Sequence, residues 1–323
     1  MKRYFSFALI AIFAVAAFCG LSPWQTLNGA RAEAYAALAP NVLSPKNSEI
    51  NPFVSDSESN IHNDSYNSDV TDAVLPLGIY PEVNMALERE APNASPSILF
   101  DTLGHAVTPF FGGIAIRNIN GDVTSTIGSF IPAQHDDGGY SIQVSYSFVD
   151  AQNHLICPTA QNHLLILKTM DDDNNVLPVF EKLMDVDIKS LAERALGKEL
   201  TQNLLSVVFD YDGNLWFATG GFRIYPERGQ TGVIGYISAE TVAACLAGQT
   251  PDFSEGVFFY EPEPGEAAEN GIASSKVGTV VLTNLACYML RANGGVEVLW
   301  RTAYESVGAK GDERGGGLAW GGG

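Results

Sequence analysis

The chain has 323 residues, of which 37 are acidic and 18 are basic, so its formal net charge is −19 at pH 7. A chain of 323 residues can hold one large all-β domain together with additional segments. Because a negatively charged protein repels the negative phosphates of a nucleic-acid backbone, the composition argues against nucleic acid as a partner.

Residues 1–32 have the three parts of a secretory signal peptide. Lys2 and Arg3 form a basic start, an apolar run follows from Phe5 to Leu21, and Ala30-Arg31-Ala32 supplies an A-x-A cleavage site. We therefore expect a secreted or extracytoplasmic protein that does not contact the membrane after cleavage. An uncleaved membrane anchor is the alternative, since the apolar run is slightly long.

Residues 33–96 are rich in Ser, Asn, Asp and Pro and contain few apolar clusters. Such a composition cannot offset the entropy of ordering, so it predicts a disordered spacer between the signal and a folded domain over residues 97–323. The first part of that domain, residues 97–134, has apolar runs separated by Asn120-Gly121, a strong hairpin signal.

Three later stretches end a β-strand in the same way. Apolar runs within 154–161, 215–222 and 281–287 are closed by Thr159, Thr219 and Thr283, which are 60 and 64 residues apart. A shorter strand and a turn precede each run, and another strand follows it. A unit of three or four antiparallel strands must stack on its neighbours to bury both faces, so the repeat predicts an all-β chain, specifically a β-propeller.

Two insertions interrupt the strand pattern. Apolar residues fall at helical spacing between 184 and 200, and Ser238 can cap a second short helix over 238–249. At the C-terminus, the glycine-rich residues 311–323 stand where another strand is expected. About four blades are also few for a closed propeller ring. We therefore expect an incomplete propeller whose native sequence continues beyond Gly323, with an open ring as the alternative.

The candidate binding residues follow from the expected propeller geometry. The turn between the second and third strands of each blade, and the connections between blades, emerge on one face around the channel. These segments contain His163, Asn162, Arg223, Asn284 and Asp137, which are our ligand-binding candidates. The pentapeptide AQNHL occurs at 151–155 and again at 160–164, and its two histidines are expected at opposite ends of one blade. A histidine that only satisfies a turn is the alternative interpretation of His163.

A second candidate is a metal site in the segment GEAAENGIA. Asn270, Glu269 and Glu266 offer the amide and carboxylate oxygens that Ca²⁺ prefers, although a solvated acidic loop is the alternative. The acidic run at 171–175 resembles a calcium loop less well, because Val176 and Lys182 stand where such a loop needs Gly and a bidentate Glu.

Several motifs resemble those of a group of secreted bacterial β-propeller proteins without established function. They are PT-x-x-x-H-L at 158–164, G-N-L-W-F-A-T at 213–219, G-E-x-x-x-N at 265–270 and V-x-W-R at 298–301. The resemblance covers roughly residues 135–323. A more distant similarity connects the chain with the six-bladed SMP-30/gluconolactonase-like and TolB-like propellers.

The SMP-30-like resemblance implies a divalent cation in the channel and hydrolysis of sugar lactones. Asn270 in ENGIA matches the family's P-N-G-L-A ligand position, whereas the other ligands of that family have no convincing counterparts. No serine-hydrolase, zincin or nucleotide-binding motif occurs in the chain. We therefore expect a non-catalytic scaffold that binds a small molecule, glycan or protein through the channel-mouth loops. A metal-dependent, lactonase-like hydrolase of lactones or esters, using Ca²⁺, is the alternative.

Overall fold

Strands form most of the regular structure in the computed structural model, which describes residues 50–55, 60–62, 64–67, 97–110, 112–120, 123–132, 142, 146–220, 231–268 and 270–304. The predicted signal peptide and cleavage site lie outside these ranges. So do Asp137, Arg223, Glu269 and the glycine-rich residues after 304.

The described strands form four consecutive meanders, each with four antiparallel strands in chain order. The first contains β1 (Leu99–Phe100), β2 (Ala106–Phe110), β3 (Gly113–Asn120) and β4 (Val123–Phe130); the second contains β5 (Phe148–Val149), β6 (Leu155–Pro158), β7 (His163–Met170) and β8 (Val176–Asp187). The third contains β9 (Asn203–Phe209), β10 (Leu215–Gly220), β11 (Ile234–Ile237) and β12 (Val257–Tyr260); the fourth contains β13 (Ala273–Ser275), β14 (Gly278–Leu282), β15 (Ala286–Ala292) and β16 (Val296–Ala303).

One parallel bridge, Ser129 to Val179, joins β4 to β8 and merges the first two meanders into an eight-stranded sheet. The third and fourth meanders are separate four-stranded sheets. The predicted hairpin around residue 120 is present, since Asn120 pairs with Val123. The prediction of an all-β chain is confirmed.

In the described part of the chain, three short helices lie between strands: α1 (Ile188–Leu196), α2 (Ala239–Leu246) and α3 (Phe253–Gly256). The first two confirm the predicted insertions. Asp187 caps α1 by accepting the Ser190 N–H, and Ser238 caps α2 by accepting the Thr241 N–H, as expected for residues that leave strand geometry at a helix start. Within the described ranges, no helix is long and apolar enough to cross a membrane.

Alternation along the strands sends successive side chains to two different cores. In β10, Leu215 and Phe217 face the second meander, whereas Trp216 and Ala218 face the fourth. In β7, successive side chains likewise alternate, and they face the first and the third meander in turn. Each pair of consecutive meanders therefore encloses an apolar seam, and the two middle meanders are buried on both faces.

The repeated threonines close equivalent hairpins. Each is almost fully buried at or just beyond the end of its meander's second strand, and its hydroxyl accepts a backbone N–H across the turn to the third strand. The donors are His163 for Thr159, Val233 for Thr219, and Ala286 for Thr283. The spacing detected in the sequence is thus the spacing of three structurally equivalent turns.

A second repeat, an aspartate turn, closes hairpins at the opposite edge of the sheets. In D-x-x-[GN]-[HN], the Asp side chain accepts the N–H groups two and four residues ahead, and its second oxygen contacts the side chain of the fifth residue. The Gly or Asn before that fifth residue has a positive φ, between 63° and 86°. The copies are 101–105, 150–154, 171–175 and 210–214.

The N-terminal residues 50–67 differ from the disordered spacer that the composition predicts, at those positions that the structure describes. Val54 forms a bridge with Asp150, and the Asn51 amide donates to the Phe209 carbonyl at 2.8 Å. Further along, the Ser274 N–H donates to the Ser65 carbonyl at 2.6 Å. All six of these residues are buried. This segment therefore packs across the first strands of the second, third and fourth meanders.

Candidate functional site

The turn between β6 and β7 holds the connection that leads into the third meander. The Asn162 carbonyl accepts the Ile188 N–H at 3.0 Å, and its side-chain oxygen accepts the Leu204 N–H. Asn162 has a φ of 65° and is buried. It is therefore committed to joining two meanders rather than exposed to a ligand.

His163 begins β7 beside this turn. Its Nδ1 lies 2.7 Å from Asp185 on β8, and both side chains are about one quarter exposed. Burial alone would raise the pKa of Asp185, but hydrogen bonds from His163 and from Lys182 lower it overall. His154, in the other AQNHL copy, instead lies 2.8 Å from Asp150 in an aspartate turn. As expected, the two histidines lie at opposite ends of β6.

Asn284 has the corresponding role between the third and fourth meanders. Its side-chain oxygen accepts the Ala267 N–H at 3.0 Å and its amide donates to the Gly265 carbonyl at 3.1 Å. Ala268 bridges to Gly220 in parallel and to Thr283 in antiparallel geometry. Asn284 therefore fixes the connection that carries the predicted metal ligands.

Glu266, in that connection, is fully buried. One carboxylate oxygen accepts the Tyr288 hydroxyl and the other accepts the Arg301 guanidinium. Arg301 also donates to the Tyr288 oxygen at 3.0 Å. Burial and the hydrogen bond to Glu266 raise the pKa of Tyr288, and the same carboxylate raises the pKa of Arg301. We name this group, Glu266, Tyr288 and Arg301, the Glu266 clamp.

Asn270 lies in a different environment. Its side-chain oxygen accepts the Tyr146 hydroxyl at 2.8 Å, across 124 residues of chain. At the next residue, a Cβ placed on Gly271 would lie 3.1 Å from Asn67 Nδ2 and 3.6 Å from both His62 and Tyr146. His62, Asn67, Tyr146 and Asn270 thus surround Gly271, and we name these four residues the central cluster.

The Asn67 amide is the notable group in the central cluster. The residue is buried, and its Nδ2 has no hydrogen-bond partner among the residues that the structure describes. A buried amide donor without an acceptor costs free energy that most folded proteins avoid. The arrangement therefore provides a donor for an acceptor that the described residues do not supply.

The other members of the central cluster add further hydrogen-bonding groups, namely an imidazole, a phenol and a second amide. Tyr66, next to Asn67, packs edge-on against Tyr211 with ring centroids 6.2 Å apart, and both rings are partly exposed. Burial raises the pKa of Tyr211, as does its hydrogen bond with Tyr66, so the Tyr211 phenol stays neutral at ordinary pH. This aromatic pair begins at the residue next to Asn67.

The sequence-predicted residues therefore fall into separate groups. Asn162 and Asn284 join meanders, Glu266 belongs to the clamp, and Asn270 belongs to the central cluster. Among the described residues, no group of three His, Cys, Asp or Glu side chains is placed to hold a metal ion. Because Glu269 lies outside these residues, the predicted trio of Asn270, Glu269 and Glu266 stays a prediction.

Sequence reasoning missed His62, Asn67, Tyr146, Tyr288 and Arg301. The first two belong to a segment whose composition predicts disorder, yet isolated aromatic residues, Phe53 and Tyr66, occur in it and were available as signs of packing. Comparison with known proteins adds no assignment, because no family model matches the chain and no curated protein is similar to it.

Proposed function

We propose that this chain is an exported β-propeller that works as a non-catalytic scaffold and binds a neutral glycan at the central cluster. The propeller arrangement is supported by the four equal meanders and by the three apolar seams between them. Contacts between the first strands, β1 with β5 and β9 with β13, agree with strands gathered around one axis.

The observation that carries the binding proposal is the buried Asn67 amide, which has no partner in the described part of the chain and lies where three distant segments meet. A ligand oxygen can accept this N–H and remove the cost of leaving it unpaired. Sites that combine buried polar groups of this kind with an apolar or aromatic surface are typical of small-molecule binding.

The chemistry of the cluster favours a sugar over an ion. Its four side chains are an imidazole, two amides and a phenol, so they offer hydrogen bonds without a carboxylate for a cation or a guanidinium for an anion. The neighbouring rings of Tyr66 and Tyr211 offer apolar surface for the C–H face of a sugar. The acidic net charge also argues against an anionic partner.

The lactonase-like alternative has weaker support. Both carboxylate oxygens of Glu266 accept hydrogen bonds within the Glu266 clamp, and the Asn270 oxygen accepts one from Tyr146. Ligation of Ca²⁺ by either residue therefore requires these bonds to be exchanged for metal contacts.

Isothermal titration of the full chain with glucose, N-acetylglucosamine and maltose tests the proposal. We expect at least one of these sugars to bind, and Asn67→Ala to weaken that binding about tenfold or more, because a buried hydrogen bond is lost. Asn175→Ala, in an exposed aspartate turn, is the matched control and should bind as the unmodified chain does.

Two results would overturn the proposal. One is that none of the three sugars binds at millimolar concentration. The other is that Asn67→Ala and Asn175→Ala bind equally well. Metal-dependent turnover of a lactone panel that is abolished by Asn270→Ala would favour the hydrolase instead.

A further inference from the structure

Three buried hydroxyl groups lie in the seam between the third and fourth meanders. They belong to Ser206 on β9, Ser274 on β13 and Thr279 on β14, and each residue is 1% exposed. Within the described part of the chain, none of the three hydroxyl oxygens has a hydrogen-bond partner. Buried hydroxyl groups in folded proteins are nearly always bonded, to protein or to ordered water.

The three residues come from strands that contact one another. Ser274 and Thr279 are directly opposite in the antiparallel register of β13 and β14. Ser206 pairs with Ala218, whose side chain packs against the fourth meander in the same seam, and β9 contacts β13. Because cross-strand neighbours share a face, the hydroxyls of Ser274 and Thr279 lie side by side opposite the third meander.

The strand ladder is irregular next to Ser206. The register between β9 and β10 shifts between Leu204 and Ser206, so that Leu205 has no cross-strand partner residue in β10. A bulged residue leaves part of the strand ladder unpaired. The seam thus contains three side-chain hydroxyls without a partner among the described residues, and the strand ladder is irregular next to one of them, Ser206.

From this geometry we propose that the seam holds a fixed site for internal water, bound by the hydroxyls of Ser206, Ser274 and Thr279. Water suits this site because it both donates and accepts hydrogen bonds, as hydroxyl groups do. The three residues are each only 1% exposed, so the space beside them can hold only a molecule as small as water. The hydroxyls carry no charge that would select an ion. This water site is independent of the proposed glycan site.

Thermal unfolding of Ser206→Ala, Ser274→Ala and Thr279→Val distinguishes bound water from empty space. If the hydroxyls hold water, each substitution removes hydrogen bonds and lowers the melting temperature by about 2–4 °C. If the hydroxyls are orphaned, each substitution removes an unsatisfied group, and the melting temperature is unchanged or higher.

Thr169→Val is the matched control, since Thr169 is equally buried and its hydroxyl donates to the Asn153 carbonyl at 2.6 Å. Its melting temperature should fall in either case. A crystal structure of the full chain should also contain an ordered solvent oxygen within about 3.2 Å of at least two of the three hydroxyls. Absence of such density, or unchanged or raised melting temperatures for the three seam variants, would overturn the proposal.

Discussion

The seam between the second and third meanders and the seam between the third and fourth use the same strand geometry with different chemistry. The hydrophobic cluster of the first seam contains Phe148, Phe209 and Phe217, and the buried Asn162 that joins its two meanders is hydrogen-bonded. The second seam encloses Trp216 and Tyr288 but also buries Glu266 and three hydroxyls that have no hydrogen-bond partner among the described residues.

This difference separates two contributions to the fold. An apolar contact gains free energy in proportion to the area removed from water and has little directional preference. A seam with buried polar groups gains less per unit area, because each group must recover the hydrogen bonds lost to water. Its partners must also lie at defined positions, so the Glu266 clamp restricts how the fourth meander can dock on the third.

The largest expected effect is in the apolar seam. Phe217 is fully buried and packs edge-on against Phe259 at 5.9 Å. Phe217→Ala leaves a cavity between two meanders, and we expect unfolding free energy to fall by about 3–5 kcal/mol. Urea denaturation measures this loss. Phe217→Leu should lose much less, and equal losses for both substitutions would contradict packing as the cause.

The next effect concerns the polar seam. Arg301→Met removes the cation from the Glu266 clamp and leaves a buried carboxylate with the Tyr288 hydroxyl alone, so we expect a loss of about 3 kcal/mol. Adding Glu266→Gln to the same chain removes the unpaired charge and should restore part of the stability. A double variant that is less stable than Arg301→Met would show that the clamp is not a coupled ion pair.

The smallest effect compares two aspartate turns of the same design. The Asp210 carboxylate also accepts the indole N–H of the buried Trp216 at 2.8 Å, so Asp210→Ala leaves a donor unpaired in the polar seam. We expect a loss of about 2 kcal/mol. Asp171→Ala, in the exposed copy of the turn, should cost clearly less stability, because no buried donor loses its partner there. Equal losses would mean that the turn alone, and not the seam contact, accounts for the effect.

Local patterns in the sequence were sufficient to predict much of the fold. Thr159, Thr219 and Thr283 identified equivalent hairpins, because a hydroxyl that closes a turn needs partners only a few residues away. Ser238 identified a helix start for the same reason. The aspartate turns share an equally local pattern, D-x-x-[GN]-[HN], which can be read directly from the sequence.

The candidate site was harder to predict. Tyr146 and Asn270 are 124 residues apart, and no local pattern connects them. Asn67 and His62 lie in a segment that is too polar to fold alone, and its burial depends on strands that the rest of the chain provides. Glu266 was selected for its oxygens, but its partners, Tyr288 and Arg301, follow from the docking of one sheet on another.

By itself, the sequence determined the all-β class, the positions of the hairpins and the helix caps, because these depend on interactions between residues a few positions apart. Only the tertiary structure decided which polar groups are paired, which are buried without a partner, and where residues 50–67 lie. Those outcomes depend on the stacking of separate sheets, which brings together groups that are distant in the chain and removes them from water.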